Sequence, residues 1–292
     1  MRSRRGSPRS RTVNIGVNLW TVYGWQLTSP IETGALQRLG ELGCRCVELV
    51  MDEGHNSADA LVRRRAELIA TIEDAGMSMP SLATTLFGQY NLASQDSATR
   101  ERGIATVQEG CRVAAAFGAR VFLVVAGRQE PGVEYEKSYA TAVESLQRAA
   151  SYAADAGVTI GVENVPGNFL CSPGEYARLI RDVGSSSVGA YLDFGNGAAV
   201  GPSFPENWIT AVADTIALVH AKDYDSRTGA FVCCGQGDLD WTAVLAALNS
   251  AHYDDCLLIE TPPLGGVGKI DPQAGLQAAQ ASIIGLRRFL SA

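Results

Sequence analysis

The sequence predicts a single (β/α)8 barrel, the TIM-barrel fold, and three observations support this prediction. Short apolar runs alternate with longer helical segments from one end of the chain to the other. Because this alternation requires a parallel sheet, eight repeats of it indicate a sheet closed into a barrel. The length of 292 residues suits one such domain, which commonly has about 250 residues.

The predicted strands are short apolar runs, and they span residues 14–20, 44–50, 77–84, 119–126, 158–164, 188–193, 216–221 and 256–261. The predicted helices span residues 31–42, 58–75, 97–117, 133–156, 173–183, 241–250 and 271–290. A glycine directly follows four of these helices, as is typical of a helix end; these glycines are Gly76, Gly118, Gly157 and Gly184. Ser172 is a predicted N-cap, and Pro272 occupies a favourable first-turn position.

A doubly wound open sheet is the alternative arrangement for the same alternation of strands and helices. Its dinucleotide-binding form requires a GxGxxG run directly after the first strand. No such run follows residues 14–20. The closed barrel is therefore the preferred prediction.

Composition and charge narrow the functional class. Hydrophobic residues make up 46% of the chain, which is enough for a substantial core. The formal net charge is −7, and both nucleic acids and anionic membranes require a basic surface, so neither is an expected partner. No apolar run reaches the length of about 18 residues that a membrane-spanning helix needs.

The beginning of the chain differs in composition from the rest. The segment MRSRRGSPRSR carries five arginines in eleven residues. We expect residues 1–11 to form a disordered basic tail, because they lack an apolar anchor and concentrate like charge. The barrel domain is therefore assigned to residues 12–292. The next segment, VNIGVNLW, is too short and too polar for the apolar core of a signal peptide.

The cysteines indicate a reducing compartment. There are seven, and they are Cys44, Cys46, Cys111, Cys171, Cys233, Cys234 and Cys256. Since the number is odd and no pair has CxxC spacing, we expect reduced thiols and a cytoplasmic location. Cys44 and Cys46 alternate along the second predicted strand, where they are expected to serve as small apolar fillers.

Charged or imidazole side chains interrupt four successive predicted strands at or beside their carboxyl ends. Glu163 ends VTIGVE, Asp193 ends VGAYLD, His220 follows IALV, and Glu260 ends CLLIE. In a barrel these strand ends lie on one face, where active sites are built. For any one of these residues, a role as a helix cap or as the partner of an arginine is as good an explanation as a role in a site. Four such residues at equivalent positions favour a common site.

A divalent metal ion would explain this cluster. Three converging carboxylates repel one another, and a cation removes that conflict. Three oxygen ligands with one imidazole suit Mn²⁺, Mg²⁺ or Co²⁺ better than a structural Zn²⁺, which prefers thiolates and imidazoles. Mn²⁺ is the preferred prediction, with Mg²⁺, Co²⁺ and Zn²⁺ as alternatives.

Five segments together resemble the xylose isomerase-like sugar isomerase/epimerase superfamily. They are VENVPG (162–167), YLDFGN (191–196), LVHAKD (218–223), GQGDLDW (235–241) and LLIETP (257–262). The resemblance implies that Glu163, Asp193, His220 and Glu260 hold the metal. In the epimerases of this group the two glutamates also act as an acid/base pair, which implies the same catalytic role for Glu163 and Glu260.

Two positions depart from the pattern of that superfamily. Many members have a histidine three residues after the aspartate of the sixth strand, and here the residue is Asn196. Asparagine can hydrogen-bond a substrate hydroxyl, but it cannot shuttle protons near neutral pH. Some epimerases carry a second glutamate six residues after the one on the fifth strand, and here the residue is Phe169.

Asn196 and four further residues are candidates for substrate binding. Glu48 lies in the second predicted strand, where the resemblance places a glutamate near the substrate; a charge paired at the strand end is the alternative. Trp20 could stack on a sugar face or pack in the core. Lys222 shares a strand face with His220 and could bind an anionic or carbonyl oxygen. Arg227 could reach the pocket from the next loop, although a surface position explains it better.

The resulting prediction is a divalent-metal-dependent isomerase or epimerase that acts on a keto-sugar or related hydroxy-ketone. One glutamate removes a proton next to the carbonyl, an enediolate forms, and the other glutamate returns a proton. A lyase or dehydratase acting by β-elimination on a keto-sugar, keto-inositol or 3-keto-glycoside shares the first step and remains the alternative. DNA hydrolysis needs more histidines than the three present. A non-catalytic sugar-binding barrel and a homo-oligomer also remain open.

Overall fold

The computed structural model describes residues 13–25, 27–201, 204–262 and 271–290. Eight parallel strands form a closed barrel in the order β1-β10-β7-β6-β5-β4-β3-β2, which confirms the predicted fold. The barrel strands are β1 Asn14–Asn18, β2 Cys46–Met51, β3 Ser81–Thr84, β4 Val121–Val124, β5 Thr159–Glu163, β6 Val188–Asp193, β7 Ile216–Ala221 and β10 Cys256–Ile259. The predicted tail, residues 1–11, lies outside the described residues.

Helices surround the barrel and cover its outer face. They are α1 Trp20–Tyr23, α2 Thr33–Glu41, α3 Ala58–Asp74, α4 Ser97–Ala116, α5 Tyr135–Ala156, α6 Pro173–Val183, α7 Phe194–Ala199, α8 Pro205–Ala211, α9 Trp241–Ser250 and α10 Pro272–Leu290. Short 3-10 helices span Leu86–Gly88 and Ala213–Thr215. Within the described part of the chain, no helix is long and apolar enough to cross a membrane.

Helix α6 shows why the predicted helix ends are correct. The hydroxyl oxygen of Ser172 accepts a hydrogen bond from the backbone N–H of Glu175 at 3.2 Å, which satisfies an otherwise unpaired donor. Pro173 occupies the first turn, where its missing N–H costs nothing. Gly184 ends the helix at φ 65°, in the left-handed region that favours glycine.

The first predicted strand extends two residues too far. β1 ends at Asn18, and Trp20 begins the short helix α1. The side-chain oxygen of Asn18 accepts a hydrogen bond from the backbone N–H of Trp20 at 2.7 Å. This local side-chain-to-backbone bond turns the chain out of the strand, as asparagine commonly does.

The connection between β6 and β7 contains two helices that were not predicted. Helix α7 lies in a glycine-rich segment that disfavours helix. It forms because Asp193 caps it, accepting the backbone N–H of Asn196 at 2.7 Å, and because Phe194 is buried at the barrel rim. Helix α8 follows, with Pro205 in its first turn and Trp208 buried.

The expectation that all seven cysteines are reduced is wrong for Cys46 and Cys256, which form a disulfide. The bond joins β2 to β10 past the intervening strand β1, with the two Cα atoms 6.7 Å apart. Gly16 of β1 leaves room for this crossing, since a Cβ there would lie 2.7 Å from the Cβ of Cys46. Cys44 is fully buried and fits the predicted role of an apolar filler.

Candidate metal centre and active site

The structure brings together the four residues at the predicted strand ends. Glu163 is the last residue of β5, Asp193 is the last of β6, His220 lies in β7, and Glu260 directly follows β10. One potential ligand atom from each lies within 4.8 Å of the others, and all four side chains are buried. Parallel strands in adjacent register produce this convergence, as in the pairing of Asp193 with His220 across β6 and β7.

The imidazole of His220 occupies the centre of the cluster. Its Nδ1 atom lies 3.4 Å from Glu163 Oε1, 3.6 Å from Glu260 Oε1 and 3.9 Å from Asp193 Oδ2. Its Nε2 atom points the other way and lies 2.7 Å from Glu48 Oε2. The two ring nitrogens therefore face different sets of carboxylates.

Lys222 is the second cationic group of the site. It follows β7 and is buried, and its Nζ atom lies 2.8 Å from Asp193 Oδ2 and also contacts Glu260 Oε2. Burial opposes its charge, but these carboxylates raise its pKa above the ordinary value. Lys222 therefore stays protonated and offsets part of the negative charge of the cluster.

Burial and neighbouring charges separate the pKa values of the carboxyl groups. Burial raises the pKa of Glu163 to about 7, and the negative charge of Glu260 adds to this. Burial likewise raises the pKa of Asp193 to about 6, although Lys222 works against it. For Glu260 burial is outweighed, because Lys222 and His220 hold its pKa below the ordinary value. Metal-free protein therefore carries one protonatable and one firmly ionised glutamate near neutral pH.

The cluster fits a divalent metal ion. The Oε1 atom of Glu260 is buried and has no hydrogen-bond partner among the described residues, a costly state for a carboxylate oxygen. It lies 3.6 Å from His220 Nδ1, in a group of four residues whose potential ligand atoms lie within 4.8 Å of one another, so one cation could satisfy all four residues at once. A donor set of carboxylate oxygens and one imidazole is typical of Mn²⁺, Mg²⁺ or Co²⁺.

Asn164 fixes the spacing of two of the carboxylates, and sequence reasoning missed it. Its side-chain oxygen accepts the backbone N–H of Asp193 at 2.7 Å, and its side-chain nitrogen donates to the carbonyl oxygen of Asp193 at 2.9 Å. The end of β5 is thereby clamped to the end of β6. The signal in the sequence was an amide residue, Asn164, directly after Glu163 at the end of a predicted strand.

A cavity of about 460 Å³ opens beside the cluster. Its polar wall includes Thr84, Arg128, Glu163, Asn196, Lys222 and Glu260. Its apolar wall includes Trp20, Trp25, Phe87, Val125, Val165 and Pro166. The rings of Trp20 and Trp25 stack with centroids 6.0 Å apart, and Trp25 was not identified from the sequence because it lies in an irregular segment. A space of this size with aromatic walls and a few polar groups is typical of a small-molecule site.

Three of the predicted substrate-binding residues line this cavity. They are Trp20, Asn196 and Lys222. The side-chain nitrogen of Asn196 donates to Glu163 Oε1 at 3.3 Å, so it contacts the cluster directly. The buried indole N–H of Trp20 has no hydrogen-bond partner among the described residues.

Two other candidates lie elsewhere. Glu48 is buried behind His220 rather than at the cavity wall. Arg227 does not reach the cavity. It lies in the turn between strands β8 Asp223–Asp225 and β9 Ala230–Val232. Its side chain is 83% exposed and pairs with Asp225. This hairpin was not predicted, and its turn holds Arg227 near its own strand.

Phe169 and the two remaining histidines do not belong to the buried cluster. Phe169 is buried and packs against Tyr135 with ring centroids 5.4 Å apart. His55 and His252 are exposed and lie outside the group of potential ligands. The several additional histidines that DNA hydrolysis would need are therefore not supplied.

The segment GQGDLDW (235–241) has a structural role that depends on Asp223. The carboxylate of Asp223 accepts hydrogen bonds from the backbone of Gly235 and from the indole of Trp241 at 2.8 and 2.9 Å. A Cβ at Gly237 would lie 2.3 Å from the same carboxylate, which explains the glycine. Asp240 caps helix α9 by accepting the backbone N–H of Ala243.

Fold and site together define a class: a TIM barrel that carries a buried carboxylate and histidine cluster at the carboxyl ends of its strands. A family model described as xylose isomerase-like TIM barrel matches residues 36–285. The chain belongs to this family, and the resemblance found in the sequence is confirmed.

Named relatives of the chain are sugar epimerases. A putative L-ribulose-5-phosphate 3-epimerase, SgbU, of Escherichia coli strain K12 is 26% identical over 216 residues, which cover 72% of this chain and 75% of that protein. The L-ribulose-5-phosphate 3-epimerase UlaE of Escherichia coli strain ATCC 8739 is 25% identical over 232 residues, covering 77% and 80%. A crystal structure of D-psicose 3-epimerase in the presence of D-fructose superimposes with a TM-score of 0.79 at 18% identity, covering 96% of this chain and 100% of that one.

Proposed function

We propose that this protein is a divalent-metal-dependent isomerase or epimerase that acts on a keto-sugar or related hydroxy-ketone. The observation that carries the proposal is the position of Glu163 and Glu260, two buried carboxyl groups that line the same cavity beside His220 and Asp193. The names of the relatives support the same reaction class.

The two glutamates are suited to act as an acid/base pair. In the metal-free protein their surroundings shift their pKa values in opposite directions, which is a recurring property of groups that exchange protons with a substrate. One glutamate removes the proton next to the substrate carbonyl, and the other returns a proton. Return to the neighbouring carbon gives isomerisation, and return to the opposite face of the same carbon gives epimerisation.

Other residues of the cavity bind and orient the sugar. The stacked rings of Trp20 and Trp25 offer a face for the apolar side of a sugar. The indole N–H of Trp20, which has no hydrogen-bond partner in the described part of the chain, offers a donor to a hydroxyl. The amide of Asn196 and the ammonium of Lys222 lie within the polar wall and bind substrate oxygens in this proposal.

The cofactor is proposed to be Mn²⁺, held by Glu163, Asp193, His220 and Glu260. A divalent cation in this position supplies positive charge that stabilises negative charge developing on substrate oxygens. Mg²⁺, Co²⁺ and Zn²⁺ are the alternatives, and elemental analysis after loading distinguishes them. A cytoplasmic location stays a prediction, and the Cys46–Cys256 disulfide removes one of its supports.

The reaction is tested by incubating metal-loaded protein in D₂O with L-ribulose, its 5-phosphate, D-psicose and D-fructose. We expect one of these sugars to take up deuterium next to its carbonyl, while its mass is otherwise conserved. Release of water with an unsaturated ketone as product would establish the lyase alternative instead.

The Glu260→Gln variant tests the acid/base role. The amide still accepts hydrogen bonds but cannot take up a proton, so the rate of deuterium exchange should fall by at least 10²-fold, within the about 10²–10⁴-fold range of general acid/base groups. The exposed Glu144→Gln on helix α5 is the matched control and should retain full activity. Full activity of Glu260→Gln with metal bound would contradict the mechanism.

A further inference from the structure

A fully buried glutamate lies behind the candidate metal centre, on the side away from the substrate cavity. Glu48 belongs to β2 and is fully buried, and it does not line the cavity beside Glu163 and Glu260. A carboxyl group in such a place requires several hydrogen-bond partners. Asn18 and Tyr191 donate to Glu48, and Nε2 of His220 lies beside the same group.

The hydrogen atoms in this network can be assigned from its geometry. The side-chain oxygen of Asn18 accepts the backbone N–H of Trp20, so its side-chain nitrogen must be the atom that faces Glu48 Oε2. The hydroxyl of Tyr191 lies 2.8 Å from Glu48 Oε1 and donates to it, while Ser81 Oγ lies 3.3 Å from the same hydroxyl. All donors converge on one carboxylate.

Matching hydrogen-bond donors with acceptors also determines the tautomer of His220. Its Nε2 atom lies 2.7 Å from Glu48 Oε2, an acceptor, so Nε2 carries the hydrogen. In the neutral ring the lone pair then resides on Nδ1, the nitrogen that faces Glu163, Asp193 and Glu260. Tyr191 also packs against the imidazole, with ring centroids 4.6 Å apart, and limits its rotation.

We propose that Glu48 is a positioning residue for metal binding: it accepts the Nε2 hydrogen of His220 and thereby directs the Nδ1 lone pair at the metal. The inference rests on the proposed function only in needing a metal at this cluster. It replaces the sequence-based expectation that Glu48 binds substrate. A carboxylate in this position also increases the basicity of the coordinating nitrogen, and losing such a partner commonly weakens metal affinity by about 10–100-fold.

The test measures the dissociation constant for Mn²⁺ alone, with no sugar present, in wild type, Glu48→Ala and Glu48→Gln. The amide oxygen of glutamine can still accept from His220 and Asn18, and the amide nitrogen can donate to the hydroxyl of Tyr191, so this variant retains the fold. We expect affinity to fall about 100-fold in Glu48→Ala and about tenfold in Glu48→Gln. Affinity should therefore decrease in the order wild type, Glu48→Gln, Glu48→Ala. A carboxylate that only fills space would not produce this order, because glutamine has nearly the same shape and would retain full affinity.

Tyr191→Phe is the matched control, because it removes a donor to the other oxygen of Glu48 and keeps the ring against His220. Its Mn²⁺ affinity should stay within about threefold of wild type. This change is much smaller than the loss expected when the hydrogen bond between Glu48 and His220 is broken. Nitrogen-15 NMR of the Mg²⁺- or Zn²⁺-loaded protein should show the His220 hydrogen on Nε2.

Two results would overturn the proposal, and they differ from failure of the proposed function. One is wild-type affinity in both Glu48 variants, and the other is a hydrogen on Nδ1 of His220 in the metal-loaded protein. Either result leaves sugar epimerisation intact. A wild-type protein that binds no divalent metal would instead remove both proposals together.

Discussion

At the scale of single residues, the site combines three buried carboxylates with two buried cationic side chains. Lys222 and His220 neutralise part of the charge of Asp193, Glu163 and Glu260 in the metal-free protein. A metal ion competes with protons for the same oxygens, because ligands must be deprotonated to bind it. Metal binding should therefore depend on pH.

The pKa values give the direction of this dependence. The pKa of Glu163 is raised to about 7 and that of Asp193 to about 6, so both groups take up protons as the pH falls below these values. We expect Mn²⁺ affinity to fall by at least tenfold per pH unit below about pH 7, since each displaced proton contributes a factor of ten per unit. Isothermal titration calorimetry with Mn²⁺ at several pH values between 8 and 5.5 measures this dependence.

The same shifts affect stability, and the sign follows from the raised pKa. For Glu163 the raised value means that its contribution to stability is full below about pH 4.5 and is lost as the pH rises through about 7. Bound metal favours the ionised form and reverses this loss, so Mn²⁺ should raise the melting temperature more at pH 8 than at pH 5.5. Equal increases at both pH values would contradict the assignment, and Glu163→Gln should reduce the difference to the part that Asp193 contributes.

At the scale of elements, hydrogen bonds from polar side chains at the strand ends determine where the carboxylates of the cluster lie. Asn164 joins β5 to β6 through two hydrogen bonds to the backbone of Asp193. Asp193 in turn caps helix α7 through Asn196. The position of Asp193 therefore depends on two neighbouring elements as well as on its own strand.

Replacement of Asn164 by alanine should lower both stability and metal affinity. It removes two buried hydrogen bonds to the backbone of Asp193, which costs about 1–3 kcal/mol in the free energy of unfolding. Urea unfolding and Mn²⁺ titration measure the two effects. The exposed Asn207→Ala on α8 is the control and should change stability by about 0.5 kcal/mol or less. Wild-type metal affinity in Asn164→Ala would show that the clamp does not position Asp193.

At the scale of the whole molecule, the disulfide lies at the seam where the first and last strands close the barrel. β1 pairs with both β2 and β10, and Cys46–Cys256 links these two outer neighbours across a separation of 210 residues. A link between such distant positions restricts the unfolded chain strongly. It holds the amino-terminal end of the barrel, away from the metal cluster.

Removing this link should destabilise the protein without affecting the chemistry. We expect Cys46→Ala/Cys256→Ala to lose about 2–4 kcal/mol in the free energy of unfolding, while its Mn²⁺ affinity stays unchanged. Thiol titration of the denatured protein without reductant should detect the five free cysteines. Seven free thiols, or a wild-type stability that does not respond to reductant, would contradict the structural disulfide.

The sequence by itself determined the barrel and the four residues of the buried cluster, because both depend on local pattern. Strands and helices follow from periodicity and from residues such as Ser172 and Gly184 at helix ends. The candidate ligands Glu163, Asp193, His220 and Glu260 were recognisable because each interrupts an apolar strand at the same point of the repeat. Parallel topology then places those points together whatever the remaining sequence is.

Only the tertiary structure decided which residues face one another across the barrel. Glu48 and His220 are 172 positions apart, so the contact between their side chains could not be inferred from either segment alone. The same holds for the Cys46–Cys256 bond, which passes Gly16. Arg227 and Trp25 lie in irregular connections whose direction depends on local hydrogen bonds and packing. Periodicity specifies which face of an element is buried, but the partner met there depends on how all eight strands are placed when the barrel closes.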